Sequence, residues 1–459
     1  MNRHYEIAII GAGPAGMAAA IELSHSNTST VLFDEHTSPG GQVYRASDSP
    51  KLPDTDILGQ EYAYGSYLIE KFRQSTTDYL PSSTVWQISK ELEIGVSREG
   101  HSHLITAGHV IMATGAIERP FPVPGWTLPG VSTIGSAQIL LKTAGMVEDD
   151  AVLIGAGPLL YLLASQYLHA GVTIKAILDT NPKLNKWKAL KHLPFALKNL
   201  NLITKGRKWL SEIKKSNIQF HEDVSDIELH GEKQVSSVTF KAGNRQKFSI
   251  KAERVFLHQG VTPNTNLAMA VGCKHKWDPL QLSWRPHIKS NGKTHIPGLW
   301  IAGDGSGIIG AKASEAMGHI TANAILVELK KAQSVKDVSF WAKTLSKERS
   351  FRPFIDTLFL PRANLRIPNK KETIVCRCEE ITSGEIKNSI ALGCIGPNQL
   401  KAFCRAGMGP CQGRFCGLTV SEMIADQLKM PVPEVGYYRV RPPIKPLTLC
   451  ELATLNETT

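Results

Sequence analysis

The chain has 459 residues, 42% of them hydrophobic and 20% charged, with a net charge of +11. That length and balance belong to an ordinary globular protein with two or three cored domains. No nucleic-acid-binding module accompanies the positive charge, which excludes nucleic acid as a partner.

Tyr5 to Ile10 reads as a buried strand, Met17 to Ser24 as a helix and Thr30 to Phe33 as a second strand. Gly11-Ala12-Gly13-Pro14-Ala15-Gly16 lies between the first strand and the helix. This is a βαβ unit with a dinucleotide fingerprint. Gly11 makes the tight turn, Gly13 lets a pyrophosphate approach the backbone, and Gly16 lets helix and strand pack closely. With Pro14 and Ala15 they lead into a helix whose unpaired N–H groups favour an anion. Asp34, 23 positions after Gly11, is placed for ribose hydroxyls, with Glu35 in reserve. Gly40-Gly41-Gln42 allows close approach to a flavin or phosphate. Residues 44–80 read as loop and helix, and Val85 to Leu104 as alternating strands turned at Glu99-Gly100. His109 starts a further buried strand that ends in the small-residue turn Ala113-Thr114-Gly115-Ala116. Pro120, Pro122, Pro124 and Pro129 mark a hinge out of the first domain.

A second βαβ unit begins at Ala151, with Gly155-Ala156-Gly157-Pro158-Leu159-Leu160 as its turn and Asp179 24 positions after Gly155. Leu160 stands where the third glycine belongs. The unit either still binds a nucleotide or is structural, and the two readings stand side by side. Ala151 to Ile174 lacks Asp, Glu, Lys and Arg, yet Gly155, Gly157 and Pro158 break it. Those breakers argue for strand, turn and helix against a membrane span. Between Thr180 and Ser211 there are seven Lys, one Arg and no acid, with Trp187, Leu190, Leu193, Phe195, Leu197 and Trp209 interleaved. The stretch is a solvated helical surface, or a place where an anionic ligand, acidic partner or membrane headgroups dock. Leu299 to Ile301 gives an apolar strand ending in Gly303-Asp304, and Ala311 to Leu329 a helix returning to the first domain. Ser346 to Lys371 reads as a connector, Glu372 to Leu428 as a small separate unit, and Pro431 to Pro446 as a tail draped over a surface. No basic leader precedes the first strand, so a cytoplasmic chain is expected, with peripheral contact to the inner membrane left open.

Seven of the eight Cys follow residue 370. Cys376 and Cys378 are one residue apart, Cys411 and Cys416 four apart, and 32 residues separate the pairs. Four thiolates, two per iron, are what a 2Fe-2S cluster requires. Zinc more often uses Cys-x2-Cys pairs, so the spacing leans away from it, though zinc and plain reduced cysteines remain alternatives. Cys394 and Cys404 read as small buried hydrophobes.

Gly11 to Gly16, Gly40-Gly41-Gln42, Ala113-Thr114-Gly115, Gly155 to Leu160 and Gly303-Asp304 together resemble two-dinucleotide-domain flavoproteins of the thioredoxin-reductase type. That resemblance implies that Gly303-Asp304 bonds the ribityl chain of a flavin. No Cys occurs before Cys273, so dithiol chemistry of the disulfide reductases is excluded. A closer resemblance spans nearly the whole chain. Ala113 to Pro120, Pro124 to Val131 and Gly155 to Leu160 are similar to the flavin subunit of opine oxidases, a subunit type also found in hydrogen cyanide synthase and hydroxyproline dehydrogenase complexes. Cys376-Arg377-Cys378-Glu379-Glu380 and Gly407 to Cys416 resemble the bacterioferritin-associated-ferredoxin-like domain of that family, although relatives often carry Cys where Ala406 sits.

The resemblance implies an α/β chain with two Rossmann-like, thioredoxin-reductase-type domains and a small C-terminal iron–sulfur domain with four cysteine ligands. The expected map is an FAD-binding domain from 1–118 and 253–345, a second dinucleotide-binding-like domain at 119–252, a connector at 346–371, a 2Fe-2S domain at 372–430 and a proline-rich tail at 431–459. FAD would be held by Gly11, Gly13, Pro14, Ala15, Gly16, Asp34, Glu35, Gly41, Gln42, Thr114, Gly115, Gly303 and Asp304. Gly155 and Gly157 would hold a second nucleotide, or FMN shared with a partner. The cluster would sit on Cys376, Cys378, Cys411 and Cys416. A second, amino-acid-oxidase-like flavin subunit would oxidise an amino acid, imino acid or opine, and this chain would carry the electrons on. The rivals are a self-contained NAD(P)H-dependent FAD reductase and a non-enzymatic redox sensor or scaffold. No catalytic base is identifiable.

Overall fold

Ile7, Ile9, Val31, Leu32 and Ile111 are fully buried, so the strands that carry them lie inside a sheet covered on both faces. The computed structural model describes residues 4–49, 55–243, 246–331 and 336–456. The outermost residues of the expected first domain and tail, 1–3 and 457–459, lie outside them. Strands Asp78–Leu80, Thr30–Phe33, His4–Ile10 and His101–Met112 run parallel in that order. The first half of His101–Met112 also pairs antiparallel with Glu93–Arg98, and its second half pairs parallel with Leu299–Ile301. Register pairs Ile10 with Phe33 and Met112, and Met112 with Ile301. The C-terminal strand ends therefore finish along one edge, where an open α/β sheet forms its crevice.

The sequence suggests a break between Leu104 and His109, but one strand of 12 residues runs through. Gly108, the apparent breaker, sits there because a Cβ would lie 3.1 Å from the Glu6 carbonyl. Helices Pro14–Leu23 and Ala311–Glu328 cover one face of the sheet, and they cross closely. A Cβ on Gly318 would be 2.2 Å from the Ala15 carbonyl oxygen.

A second parallel sheet holds Gln219–His221, Ile174–Asp179, Ala151–Gly155, Val255–His258 and Val131–Thr133, in that order. A three-stranded antiparallel layer, Ser225–His230, Ser237–Ala242 and Gln246–Lys251, flanks it. The chain leaves the first unit along Ala116–Glu118 and returns along Val261–Pro263, which pair antiparallel as a hinge ribbon. The return expected at residue 253 thus comes later. Val255–His258 is buried between two parallel neighbours of the second sheet, a partner choice that an apolar run does not declare. The uncharged run from Ala151 resolves into a strand, a turn and helix Pro158–His169. No helix among the described residues is long and apolar enough to cross a membrane.

The expected connector at 346–371 is also corrected. Its first half belongs to helix Lys336–Leu358, 23 residues long with Pro353 inside. That helix lies on Ala311–Glu328 and on Lys183–Leu190 of the second unit. Proline and arginine hid the helix, because its buried side is set by two different neighbours rather than by one apolar stripe.

The C-terminal unit pairs Ile374–Cys376 with Ile381–Thr382 and packs helices Ser383–Ala391, Pro397–Cys404 and Gly417–Leu428 around Ile386, Leu400, Val420 and Ile424. It is fastened to the chain just before it by the buried Arg366–Glu422 ion pair, and to the second unit by Trp126 Nε1 donating to the Ile374 carbonyl at 2.7 Å. The tail does not merely drape. Tyr438 enters the core of the C-terminal unit, while Val440 and Ile444 enter that of the first.

Candidate functional site

The first fingerprint is built by glycines whose absent side chains are each accounted for. Gly11 takes φ +105°, and a Cβ there would lie 2.5 Å from the Ala113 carbonyl; at Gly16 it would lie 1.8 Å from the Gly11 carbonyl. Gly13 differs, because a Cβ there would meet nothing within 4 Å. It is extended, with φ −77° and ψ −177°, and caps helix Pro14–Leu23. An open glycine at a helix N-terminus is a cradle for an anion. Gly41 closes over it, with its own hypothetical Cβ 2.9 Å from Gly13 Cα.

Asp34 is nearly fully buried. Ala12 N–H donates to one carboxylate oxygen, and His36 donates to the other through its backbone N–H at 2.7 Å and pairs through Nδ1 at 2.9 Å. The carboxylate therefore braces the Gly11–Gly13 turn as well as facing the crevice. Glu35 forms an ion pair with Lys445 of the tail at 2.9 Å. Asp304 accepts from Ile309 N–H and Gly310 N–H at 2.7 and 2.9 Å, shaping the loop before helix Ala311–Glu328. Thr114 Oγ1 donates to the Asn264 carbonyl at 3.0 Å.

Gly11, Gly13, Pro14, Ala15, Asp34, Glu35, Gly41, Gln42, Thr114, Gly115, Gly303 and Asp304 all line one cavity of about 1890 Å³. Single-ligand pockets usually measure roughly 300–1,000 Å³. Gly16 is buried behind that wall, and Gly155 and Gly157 are not part of it. Arg377, Cys378, Arg414 and Phe415 of the C-terminal unit and Ile444 and Lys445 of the tail do line it.

Sequence reasoning passed over Lys142, although Ile134, Ala137, Gln138, Leu141 and Lys142 form one buried stripe of helix Ile134–Ala144. Its Nζ donates to the carbonyls of Gln42 and Val43 at 3.2 and 2.9 Å and to Gln138 Oε1 at 3.1 Å. Burial, with Arg45 nearby, lowers its amine to about 7. Arg119 was missed as well. It is buried, donates to the carbonyls of Gln281 and Leu282, and is lowered by burial to about 10. Glu118 and His258 meet at 2.6 Å at the hinge, and Glu118 also accepts from Gly135 N–H.

The second turn has different surroundings. Gly157 faces His258 Nε2, 3.3 Å from where a Cβ would stand. Leu160 is fully buried in an apolar cluster. Asp179, in the position of the ribose acid, is buried; Tyr161 O–H donates to it at 2.8 Å and Asn181 N–H at 2.8 Å. Burial raises its carboxyl to about 6. Phe359 packs against Tyr161, and Arg362 Nε donates to the Thr180 carbonyl, so the chain's own 359–362 segment lies over this crevice.

The four cysteines come together as two pairs. Cys376 interacts most strongly with Cys416 and Cys378 with Cys411, and charge on one pair is felt by the other. Cys376 is lowered to about 6, first by Cys416 and then by backbone N–H groups of Gly407, Glu379 and Cys378; Cys416 is raised by the same contact. The surrounding glycines make room for the tail: a Cβ on Gly407 or Gly413 would meet the Tyr438 ring at 2.4 or 2.3 Å. Tyr438 O–H donates to the Ala406 carbonyl at 2.9 Å. Among the described residues, no three or more His, Cys, Asp or Glu side chains converge on a single metal-ion position. The expected four-cysteine centre is therefore not seen as a closed metal site: the four thiols interact pairwise. Cys394 is buried in the core of the unit and donates to the Gly396 carbonyl at 3.3 Å.

Residues 5–322 match the pyridine nucleotide-disulphide oxidoreductase family, and residues 370–455 match the sarcosine oxidase A3 domain. Over its full length the chain is 42% identical to an opine oxidase subunit of Agrobacterium tumefaciens, covering 93% of that protein. It is 30% identical to hydrogen cyanide synthase subunit HcnB of Pseudomonas aeruginosa, with 98% of each chain covered. The fold is similar to that of L-proline dehydrogenase from P. horikoshii, with a TM-score of 0.73, 18% identity, 98% of this chain and 79% of that chain covered. The open first cradle, the family match over most of the chain and the full-length relatives lead to one conclusion: the chain belongs to the pyridine nucleotide-disulphide oxidoreductase family, within it to the opine oxidase flavin subunits, and is an FAD-dependent oxidoreductase.

Proposed function

We propose that this chain is the flavin and 2Fe-2S electron-transfer subunit of an amino-acid or opine dehydrogenase complex. One observation carries the reading. The same cavity is lined by the first fingerprint and by Cys378 of the C-terminal unit. FAD, when bound, supplies the two-electron acceptor chemistry. The protein's part is to hold and insulate. Gly13 and the N–H groups beside it would receive the pyrophosphate, Asp34 would hold the ribose, and Gly41 and Gln42 would help hold the group. Lys142 keeps the Gln42–Val43 carbonyls in place.

Cys376, Cys378, Cys411 and Cys416 would ligate the cluster, and their grouping into two pairs matches the two-thiolates-per-iron arrangement of 2Fe-2S. Backbone N–H groups aimed at Cys376 favour its thiolate form, as a cluster ligand needs. The cavity exceeds what one dinucleotide fills, and we assign the remainder to a second nucleotide or FMN shared with a partner flavin subunit. All eight cysteines are free, which suits a reducing, cytoplasmic setting.

Two measurements test this. Anaerobically purified chain should contain about two irons and two sulfides. Cys376→Ser should lose them and Cys394→Ser keep them; zinc in place of iron refutes the cluster. Turnover of proline, hydroxyproline, glycine and opines with an artificial acceptor should appear only when the partner subunit is present. Substantial turnover by the chain alone would overturn the relay. A self-contained NAD(P)H reductase is the rival, and the capped Asp179 and buried Leu160 weigh against it.

A further inference from the structure

Residues 183–200 turn ordinary amphipathicity inside out. Helix Lys183–Leu190 buries Asn185 and Ala189, and the turns after it bury Ala196 and Asn199. The large apolar residues point the other way: Leu184, Trp187, Leu190, Phe195, Leu197 and Leu200 are all exposed, Trp187 by 72%. On the helix, Asn185 and Ala189 are four apart and share the inner face, which puts Trp187 on the outer one between Leu184 and Leu190. The inner face is pinned. Asn185 Nδ2 donates to the Leu360 carbonyl at 2.9 Å, and Asn199 Nδ2 to the Lys347 carbonyl at 2.8 Å. The ridge is therefore held outward by buried amides.

Lysines fringe it. Lys183, Lys188, Lys191 and Lys198 are exposed and pair with no carboxylate among the described residues, whereas Lys186, Lys205 and Lys208 have acidic neighbours. Protein–protein interfaces are depleted of Lys and enriched in Arg. Here Lys outnumbers Arg seven to one between Thr180 and Ser211. Exposed Trp, Phe and Leu within a lysine fringe is the pattern of a segment that lies in the headgroup plane of a bilayer.

We infer that the 183–200 ridge docks this protein on an anionic lipid surface, with Trp187, Phe195 and the flanking leucines entering the acyl boundary and the unpaired lysines meeting lipid phosphates. The same segment forms part of the rim of the cofactor cavity, through Lys186, Leu190 and Leu193. Docking would bring that rim to the membrane.

The test is flotation of the full chain with vesicles of phosphatidylglycerol in phosphatidylcholine and with phosphatidylcholine alone. Binding should require the anionic lipid and weaken with salt. Trp187→Ser combined with Phe195→Ser should weaken it by ~tenfold or more, and the combined variant Lys183→Glu, Lys188→Glu, Lys191→Glu and Lys198→Glu should do the same. FAD content and Tm should match the parent, since these side chains leave the core untouched. Leu392→Ser with Ile395→Ser, an exposed apolar pair on the C-terminal unit, should bind like the parent. Equal flotation with neutral vesicles, or unchanged binding by the ridge variants, would overturn the proposal. Capture of the ridge by an acidic partner protein with no vesicle binding would overturn it too, assigning the surface to protein.

Discussion

The two dinucleotide units begin almost identically, with Gly11-Ala12-Gly13-Pro14-Ala15-Gly16 in one and Gly155-Ala156-Gly157-Pro158-Leu159-Leu160 in the other. They differ in what surrounds the turn. In the first, the middle glycine opens on empty space and Gly16 lets the helix close onto the strand. In the second, the middle glycine faces His258, Leu160 fills the helix–strand junction, and Tyr161 caps the acid. A fingerprint states what backbone can do; its neighbours decide whether a ligand is admitted.

The sharpest way to break this contrast is Gly13→Val. The extended backbone suits valine and nothing lies within 4 Å of the added Cβ, so the chain should still fold, with Tm lowered only by a poorer helix N-cap, while FAD content falls by at least ~tenfold, because the side chain would project where the pyrophosphate would pass. A full complement of FAD, read from the visible absorbance per chain, would mean that the open cradle is not the cofactor site. Leu160→Ala addresses the other unit. It should lower stability by about 2–5 kcal/mol through the cavity it leaves, with FAD content unchanged, as seen by denaturant unfolding and absorbance.

Asp179→Asn gives a smaller, pH-dependent change. The carboxyl is pushed from its ordinary 3.8 to about 6 by burial. The folded chain therefore binds this proton more readily than the unfolded chain, and the wild type loses stability as pH rises from about 4 to 6. The asparagine variant lacks that loss, so its stability relative to wild type, read by denaturant unfolding, should rise across this window by about 3 kcal/mol at most. A difference that does not vary with pH would show that Asp179 is ionised throughout. The smallest expected effect is none at all: stopped-flow mixing with NADH or NADPH should not reduce the flavin rapidly. Fast stoichiometric bleaching would show that the second turn admits a nicotinamide despite Leu160.

The first unit was legible because its signals are local. The fingerprint, the apolar strands, Gly303-Asp304 and the returning helix all lie within short windows of sequence. The C-terminal cysteine spacing is just as local, but it points to one four-cysteine centre, and among the described residues no three metal-capable side chains converge on one position. What was not legible depends on partners distant in the chain. Val255–His258 could have joined either sheet. Helix Lys336–Leu358 has two buried sides, so it shows no single stripe, and Pro353 argued against it. Lys142 looked like an ordinary surface lysine, because the carbonyls it holds are about 100 residues away. Asp34 was read for its ligand alone, when half of its work is to hold Ala12.

The tail has a consequence for how this protein is made. Ser102 N–H donates to Thr454 Oγ1 across 352 residues of chain, Ile444 N–H donates to the Trp86 carbonyl, and Val440 and Ile444 complete the apolar layer under the first sheet. Strand Leu299–Ile301 likewise joins that sheet long after its neighbours are synthesised. The unit that contains strand His4–Ile10 is thus completed only by pieces that follow it far along the chain. During translation it must wait with an unpaired strand flank and an open apolar layer, a state in which nascent chains are prone to aggregate and draw on chaperones.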